Sequence, residues 1–273
     1  MEARCKHGHS SRTHPSCFNN NGEPVDGDEL QKDVKILSFD IETLPLLAYT
    51  WGAWEQNVNP VQLVKDWCLL SYSAKWLNSD SVISNVLTPS EAKRRNDKRI
   101  TKEVWRLIDE ADIIIGHNSR RFDIKKLNTR FWKHNMPVPG SYKHIDTLTS
   151  ARSVFGITYN KLDYIAEFIG IQKKLDTDFQ LWKDCDSGVK KALTKMREYN
   201  DVDAIIQEKI YLEMRSWIPN HPDMTVFAGV NGACPICLKA GSKRIGEYTA
   251  RKKQYPEYRC SCGAIWHSSK FVK

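Results

Sequence analysis

The stretch VKILSFDIET, residues 34–43, joins a short, mostly apolar run to two acids. The apolar run predicts a buried strand that ends at Asp40. Side chains alternate along a strand, so Asp40 and Glu42 point to the same side. Two neighbouring carboxylates repel each other unless a cation lies between them. The stretch therefore predicts a metal-binding pair, with two surface acids at a strand end as the alternative.

A second acidic segment, GHNSRRFD, covers residues 116–123. The apolar run before it predicts a strand over residues 113–115, and a helix is predicted over residues 121–134. Asp123 then lies in the first helical turn, beside the carboxyl end of a strand, where α/β folds bind ligands. The alternative is an acid that interacts favourably with the positive end of the helix dipole.

The third acidic segment, YNDVD, covers residues 199–203 inside a helix predicted over residues 189–217. Tyr199 and Asp203 are four residues apart and share one helical face. That face borders apolar positions, and a buried carboxylate needs a partner. A metal ion would supply one, whereas Asp201 is the better candidate for a surface acid.

The remaining patterns alternate between strands and helices. They predict strands over residues 67–76, 81–87 and around Ile145, and helices over residues 88–110 and 162–169. Such alternation is typical of an α/β domain with a mixed β-sheet.

Together, the three acidic segments resemble the DEDD superfamily of 3′→5′ exonucleases. The resemblance rests on DIET at residues 40–43, Asn-x-x-x-Phe-Asp at 118–123 and Tyr-x-x-x-Asp at 199–203. The tyrosine form is typical of the subgroup that includes proofreading domains, and the second motif is most similar to those of B-family DNA polymerases. The resemblance covers about residues 33–217 and implies a ribonuclease-H-like mixed sheet flanked by helices.

The resemblance also implies a two-metal site. Two Mg²⁺ or Mn²⁺ ions, about 4 Å apart, would be held by carboxylates. The implied ligands are Asp40, Glu42, Asp123 and Asp203, and Tyr199 would orient the attacking water. The implied substrate contacts are Asn118, Phe122, Leu44 and Lys161. Leu44 is alternatively a plain core residue, and Asp146 is a candidate supporting residue.

The C-terminal part contains Cys234 and Cys237, and then Cys260 and Cys262. Two cysteine pairs about twenty residues apart are typical of a zinc ribbon. The second pair departs from the usual Cys-x-x-Cys spacing, so His267 is an alternative ligand. The basic and aromatic segment between the pairs suits a nucleic-acid contact, whereas a purely structural zinc is the alternative.

The N-terminal part is rich in cysteine and histidine. One plausible zinc set is Cys5, His9, His14 and Cys17, with His7 as the rival of His9. A tail with scattered histidines is the alternative. The expected organisation is an N-terminal segment over residues 1–30, an exonuclease domain over 31–220 and a zinc ribbon over 228–273.

The overall composition indicates an acidic partner. The chain has 273 residues, a formal net charge of +8 and 41 Lys and Arg against 33 Asp and Glu, which favours nucleic acid. No apolar run reaches the roughly 18 residues of a membrane span, and the polar N-terminus lacks a signal sequence. We therefore expect no membrane partner and a cytoplasmic location, which is the host cytoplasm if the gene belongs to a phage.

The leading hypothesis is a 3′→5′ exonuclease acting on single-stranded or frayed DNA, in proofreading in trans or end trimming. The combination of this domain with a zinc ribbon is similar to small phage-encoded exonucleases, and a DNA polymerase or another replication protein is a candidate partner. We expect DNA rather than RNA as substrate. The alternatives are an exoribonuclease, a non-catalytic nucleic-acid-binding module and a structure-specific endonuclease.

Overall fold

A computed structural model describes residues 33–171, 177–270 and 272. These residues fall into two compact units, one formed by Lys35–Pro219 and one that contains the chain from Asn220 onward. The predicted zinc set Cys5, His9, His14 and Cys17, together with His7, lies outside the described residues. Across the described residues, no helix has the combined length and hydrophobicity that a bilayer span requires.

The larger unit consists of a sheet flanked by helices. Its strands are β1 (Ile36–Leu44), β2 (Leu47–Ala48), β3 (Leu63–Lys65), β4 (Cys68–Trp76), β5 (Ile83–Val86), β6 (Ile113–Gly116) and β7 (Lys143–Asp146). Its helices are α1 (Pro89–Arg94), α2 (Lys98–Glu110), α3 (Asp123–Lys133), α4 (Thr147–Val154), α5 (Leu162–Phe168), α6 (Phe179–Asp186) and α7 (Lys190–Met214).

The main sheet has the strand order β5-β4-β1-β6-β7. The pairs β5–β4 and β4–β1 are antiparallel, whereas β1–β6 and β6–β7 are parallel. β2 and β3 form a separate two-stranded sheet. The predicted α/β fold with a mixed sheet is therefore confirmed.

The helix predicted over residues 88–110 is divided in two. α1 and α2 are separated at Arg95, whose backbone is left-handed with φ of 51°. The Arg95 guanidinium donates two hydrogen bonds to Asp186, at 2.8 and 2.9 Å, and a third to the Pro45 carbonyl at 2.6 Å. These partners are far away in the sequence, so the charged helical pattern alone does not reveal the break.

The two faces of the sheet differ in chemistry. Phe39 and Ile41 point from β1 into the apolar core, which also contains Val104 of α2 and Leu127 of α3. The opposite face is polar, and α7 packs across it. Three side-chain contacts join α7 to β4: Asn200 with Ser71 at 3.0 Å, Asp201 with Ser73 at 2.6 Å and Glu208 with Lys75 at 2.5 Å. Buried polar groups stabilise a fold only when paired in this way.

A second buried amide fixes α7 against the centre of the sheet. The Gln207 side-chain nitrogen lies 2.8 to 3.0 Å from three acceptors, namely the Ser38 hydroxyl and the carbonyls of Phe39 and Ile115, which share its two hydrogens. One side chain of α7 therefore contacts both β1 and β6. The contact fixes the rotation of α7 and, with it, the direction of Asp203, one helical turn before Gln207.

β1 is longer than the predicted strand, which was expected to end at Asp40. It pairs with β6 from Ile36 to Ser38, and with β4 as far as Leu44. Continued pairing with β4 keeps the second half of β1 extended beyond the carboxyl end of β6. The two acids of β1 therefore lie inside a strand, at the edge where β6 has already ended.

The smaller unit contains the helix α8 (Met224–Ala228) and a three-stranded antiparallel sheet. Its strands are β8 (Lys243–Ala250), β9 (Lys253–Arg259) and β10 (Ile265–His267), in the order β10-β9-β8. The buried cluster of this unit is small and consists of Cys234, Cys260 and Ala264, with Ile236, Cys237, Cys262 and Trp266 packed against it.

Candidate active site

Three carboxylates come together where β1 extends past β6. Asp40 and Glu42 come from β1, and Asp203 comes from α7. One carboxylate oxygen from each lies within 4.8 Å of those of the other two. The register of β1 with β4 shifts between Glu42 and Thr43, and such irregularities often re-aim side chains beside active sites. The structure therefore joins the first and third acidic segments.

Asp123, the fourth predicted acid, is buried at the start of α3, as expected. Its Oδ1 accepts a hydrogen bond of 3.2 Å from the backbone amide of Ile41, which lies between Asp40 and Glu42. Ile41 lies beyond the β1–β6 ladder. The Asp123 carboxylate therefore accepts from a backbone amide that β6 does not pair. Burial raises the pKa of the Asp123 carboxyl to about 7, although backbone amides oppose the rise.

Asn200 connects Asp40 of β1 to the neighbouring strand β4. Its amide nitrogen donates to Oδ2 of Asp40 at 2.6 Å, and its amide oxygen accepts from the Ser71 hydroxyl at 3.0 Å. Asn200 has no exposed surface, so its side chain holds one rotamer. It therefore fixes the orientation of Asp40, in the way that partners of metal ligands do.

The turn between β6 and α3 is anchored by Asp146. One oxygen of this carboxylate accepts from the amides of Asn118 and Thr149, and the other accepts from the amide of Arg120, each at 3.1 Å. Asn118 adopts a left-handed conformation with φ of 62°, which asparagine tolerates better than most residues. Asp146 therefore supports the predicted substrate-binding turn and also caps α4.

A cleft of about 680 Å³ opens beside the carboxylates. His117 connects two parts of the cleft wall. Its Nε2 donates to the Asn160 carbonyl in the loop before α5, and its Nδ1 lies 2.9 Å from the Thr147 hydroxyl at the start of α4. The lining residues are Asp40, Ile41, Glu42, His117, Asn118, Phe122, Asp123, Leu148, Arg152, Thr158, Tyr159, Asn160, Lys161, Leu162, Asp163 and Asp203. The cleft therefore places carboxylates next to cationic and aromatic side chains.

Three of the predicted substrate contacts line this cleft, namely Asn118, Phe122 and Lys161. Phe122 has 40% of its surface exposed. Leu44 instead has no exposed surface and packs in the core, so the structure shows the alternative role that its sequence position allowed.

Tyr199 is buried, and its ring packs edge-on against Trp182 with the ring centroids 6.2 Å apart. It is not one of the residues that line the cleft. Its position four residues before Asp203 on α7 is as predicted. The predicted role of its hydroxyl therefore stays a prediction.

The sequence analysis missed Asn200, Arg152 and Tyr159. A signal for Asn200 exists, because Asn200, Asp203 and Gln207 are spaced by three and four residues and form a polar stripe on a buried helical face. Arg152 and Tyr159 carry no such signal. Their place in the cleft follows from the packing of α4 and of the loop after it.

The carboxylate cluster has the chemistry of a divalent-cation site. Carboxylate oxygens are the ligands that Mg²⁺ and Mn²⁺ prefer, and three carboxylates within 4.8 Å repel one another without a cation. The donor set of Asp40, Glu42 and Asp203 therefore fits the predicted metals, with Asp123 beside it in the same cleft.

The four C-terminal cysteines also lie together, and their sulfur atoms are all within 4.8 Å of one another. The Sγ–Sγ distances are 3.8 Å for Cys234 and Cys262 and 3.6 Å for Cys237 and Cys260. Ligands about 2.3 Å from a tetrahedral Zn²⁺ lie about 3.8 Å apart, so the geometry fits zinc. His267, the alternative ligand, instead stacks on Tyr248.

Replacing Asn200 by alanine is expected to weaken Mn²⁺ binding at the carboxylates by about 10- to 100-fold, the usual effect of losing a supporting hydrogen bond to a ligand. Titration calorimetry would measure the affinity. Ser73→Ala is the control, because it removes the hydrogen bond that Ser73 donates to Asp201 of α7 and leaves the bond from Asn200 to Asp40 in place. Equal Mn²⁺ affinities of the two variants would contradict the positioning role.

A structure of the family B DNA polymerase from the hyperthermophilic archaeon Pyrobaculum calidifontis aligns with 86% of this chain, at 15% identity and a TM-score of 0.48. The chain spans about a third of that polymerase, because the alignment covers 32% of it. No curated protein sequence matches the chain.

A family model of the RNase_H superfamily matches residues 74–215. The matched range begins after Asp40 and Glu42, and it contains Asp123 and Asp203. It also contains α3 and the whole of α7, the helices that carry these two acids. Since this range is more than half of the chain, the protein belongs to the RNase_H superfamily.

Proposed function

We propose that the protein is a metal-dependent 3′→5′ exonuclease that acts on single-stranded or frayed DNA. The observation that carries the proposal is the convergence of Asp40, Glu42 and Asp203 within 4.8 Å beside an open cleft. Membership of the RNase_H superfamily supports a nuclease-type activity. The direction of cleavage rests on the resemblance of the three acidic segments to the DEDD exonucleases.

The carboxylates would hold the metal. Asp40, Glu42 and Asp203 form the ligand set, and Asp123 would complete it. Divalent ions at such a site supply an activated water and stabilise the charge on the phosphate and the leaving oxygen. Asn200 holds Asp40 in place, and α7 fixes Asp203 through the Gln207 contacts. The acids are thus preorganised by buried hydrogen bonds rather than by the ions alone.

The other cleft residues suit the end of a polynucleotide. Lys161 and Arg152 offer positive charge to phosphates, and the exposed ring of Phe122 offers a surface on which a base can stack. Asn118 lies on the anchored turn next to the acids. A cleft of about 680 Å³ has the size of pockets that enclose small ligands, which suits a terminal nucleotide better than a duplex.

We also propose that Tyr199 orients the attacking water, as the Tyr-x-x-x-Asp resemblance implies. Its place on α7, one helical turn before Asp203, supports the proposal. In the smaller unit, we propose that Cys234, Cys237, Cys260 and Cys262 hold a structural Zn²⁺. The sulfur separations support that second proposal.

The test is degradation of a 5′-labelled single-stranded DNA oligonucleotide with Mg²⁺ or Mn²⁺. We expect a ladder that shortens from the 3′ end with the wild-type protein and no ladder with Asp40→Asn. Matched RNA and circular single-stranded DNA run in parallel. Faster loss of RNA would indicate an exoribonuclease, cutting of the circle would indicate an endonuclease, and binding without turnover would indicate a binding module.

A further inference from the structure

The sheet of the smaller unit carries two aromatic stacks on opposite faces. Tyr258 and Trp266 pair directly across β9 and β10, with their rings 4.7 Å apart and nearly parallel. Tyr248 and His267 form the second stack, with ring centroids 4.6 Å apart at an interplanar angle of 7°. Tyr255, opposite Tyr248 in the register, is the third ring on that side, 5.8 Å from His267.

The two stacks have different surroundings. Trp266 packs against the buried cysteine cluster, so the stack with Tyr258 belongs to the small core of this unit. The stack of Tyr248 on His267 lies outside that buried cluster, and Tyr248 remains 43% exposed. Tyrosine is enriched at interaction surfaces, because its ring is apolar and its hydroxyl can stay in water.

The exposed stack is surrounded by positive charge. Lys253 and Arg259 are an even number of residues from Tyr255 along β9, so their side chains point to the same face as the Tyr255 ring. Lys243 pairs with Arg259 in the register and points to that face too. All three are exposed, and Glu257 is the one acid on this face among the described residues of β8–β10. Over residues 243–259, six side chains are basic and two are acidic.

We propose that this face, formed by Tyr248, Tyr255 and His267 with the surrounding lysines and arginine, binds single-stranded nucleic acid. Flat rings select a ligand with flat faces, and the cations select a ligand with repeated negative charge. A single strand offers both, because its bases are unstacked and its phosphates are regularly spaced. A duplex hides the faces of its bases. This site lies in the other unit from the proposed active site, so the inference stands without the proposed activity.

Fluorescence anisotropy with a labelled single-stranded DNA oligonucleotide tests the inference. The full chain carries Asp40→Asn in all samples, and no Mg²⁺ or Mn²⁺ is added, so turnover does not contribute. We expect Tyr248→Ala to weaken binding about tenfold, since a base on an aromatic ring is worth about 1–3 kcal/mol. Tyr248→Phe should bind like the parent, because it keeps the ring.

Charge is tested with a matched pair of neighbours on opposite faces of β8. Lys243→Ala should weaken binding and reduce the salt slope by about 0.7, the value for one phosphate contact with a single strand. Arg244→Ala removes the same charge from the other face and should change the affinity less than about twofold. Zinc content and circular dichroism confirm that each variant is folded.

Any one of three results would overturn the inference. The first is unchanged binding by a folded Tyr248→Ala variant, and the second is an equal loss of binding in Lys243→Ala and Arg244→Ala. The third is competition by duplex DNA as strong as that by the single strand. Because the proposed activity is assayed separately, failure of this inference leaves it standing, and loss of activity leaves this face intact.

Discussion

Replacing Asp203 by asparagine is expected to stabilise the metal-free protein and to lower nuclease turnover on the order of a thousandfold. Asp203 is 2% exposed and lies within 4.8 Å of two other carboxylates. Without a cation, removing one of three neighbouring charges relieves repulsion in a poorly solvated site. Asparagine has nearly the same shape as aspartate, so the packing of α7 should be preserved.

The expected loss of turnover follows from the proposed ligand set. Metal ions contribute several kcal/mol to the transition states of phosphoryl chemistry, and each 1.36 kcal/mol is worth a factor of ten in rate. Melting curves with and without Mn²⁺ measure the expected gain in stability of the Asp203→Asn protein. We expect a melting temperature about 2–4 °C higher for the metal-free variant, which corresponds to about 1 kcal/mol, and a smaller rise on adding Mn²⁺.

Asp201→Asn is the matched control, because it makes the same chemical change two residues away on the same helix. Asp201 accepts a hydrogen bond from Ser73 at 2.6 Å and lies outside the carboxylate cluster. We expect it to lower the melting temperature and to keep turnover within a few-fold of wild type. A less stable metal-free Asp203→Asn protein with normal turnover would contradict the proposed site.

Replacing Cys234 by serine is expected to release zinc and unfold the smaller unit. Cys234 is fully buried, and the apolar cluster around it is small. A structural zinc site contributes about 10–16 kcal/mol of apparent binding free energy at neutral pH, more than such a cluster can supply. Loss of one thiolate ligand should therefore remove both the ion and the fold of this unit.

Elemental analysis and limited trypsin digestion measure the two effects. We expect Cys234→Ser to hold one zinc fewer per chain than the wild type, and we expect rapid cleavage at the lysines and arginines of residues 239–259 in the variant. Cys185→Ala is the control, because Cys185 is also fully buried but lies in the larger unit. A Cys234→Ser protein that keeps its zinc and its resistance to trypsin would contradict the site.

The local elements of the larger unit follow from patterns that the sequence carries within a few residues. The apolar run before Asp40 predicts β1, the triple isoleucine predicts β6, and Asp123 lies in the first turn of α3 as expected. Apolar positions at helical spacing predict α7 within three residues at its C-terminal end. These patterns suffice because each element buries one face. Apolar residues therefore recur along the sequence at the repeat of the helix or strand.

Elements with weaker patterns were not predicted. α4 and α6 each have eight residues, and so short a helix shows barely two turns of periodicity. α4 is capped by the side chain of Asp146, which accepts from the amide of Thr149. The capping aspartate was visible in the sequence, but its link to the turn at Asn118 depends on β7 lying beside β6.

By itself, the sequence determined the fold class, the shared face of Asp40 and Glu42, and the helical position of Asp203, because these depend on local periodicity. Tertiary structure alone decided that β1 continues beyond β6, which makes the Ile41 amide available to Asp123, and that Asn200 holds Asp40. These contacts join residues 82 and 160 positions apart. Their existence depends on strand register and on the rotation of α7, which are fixed only when the sheet and the helix pack together.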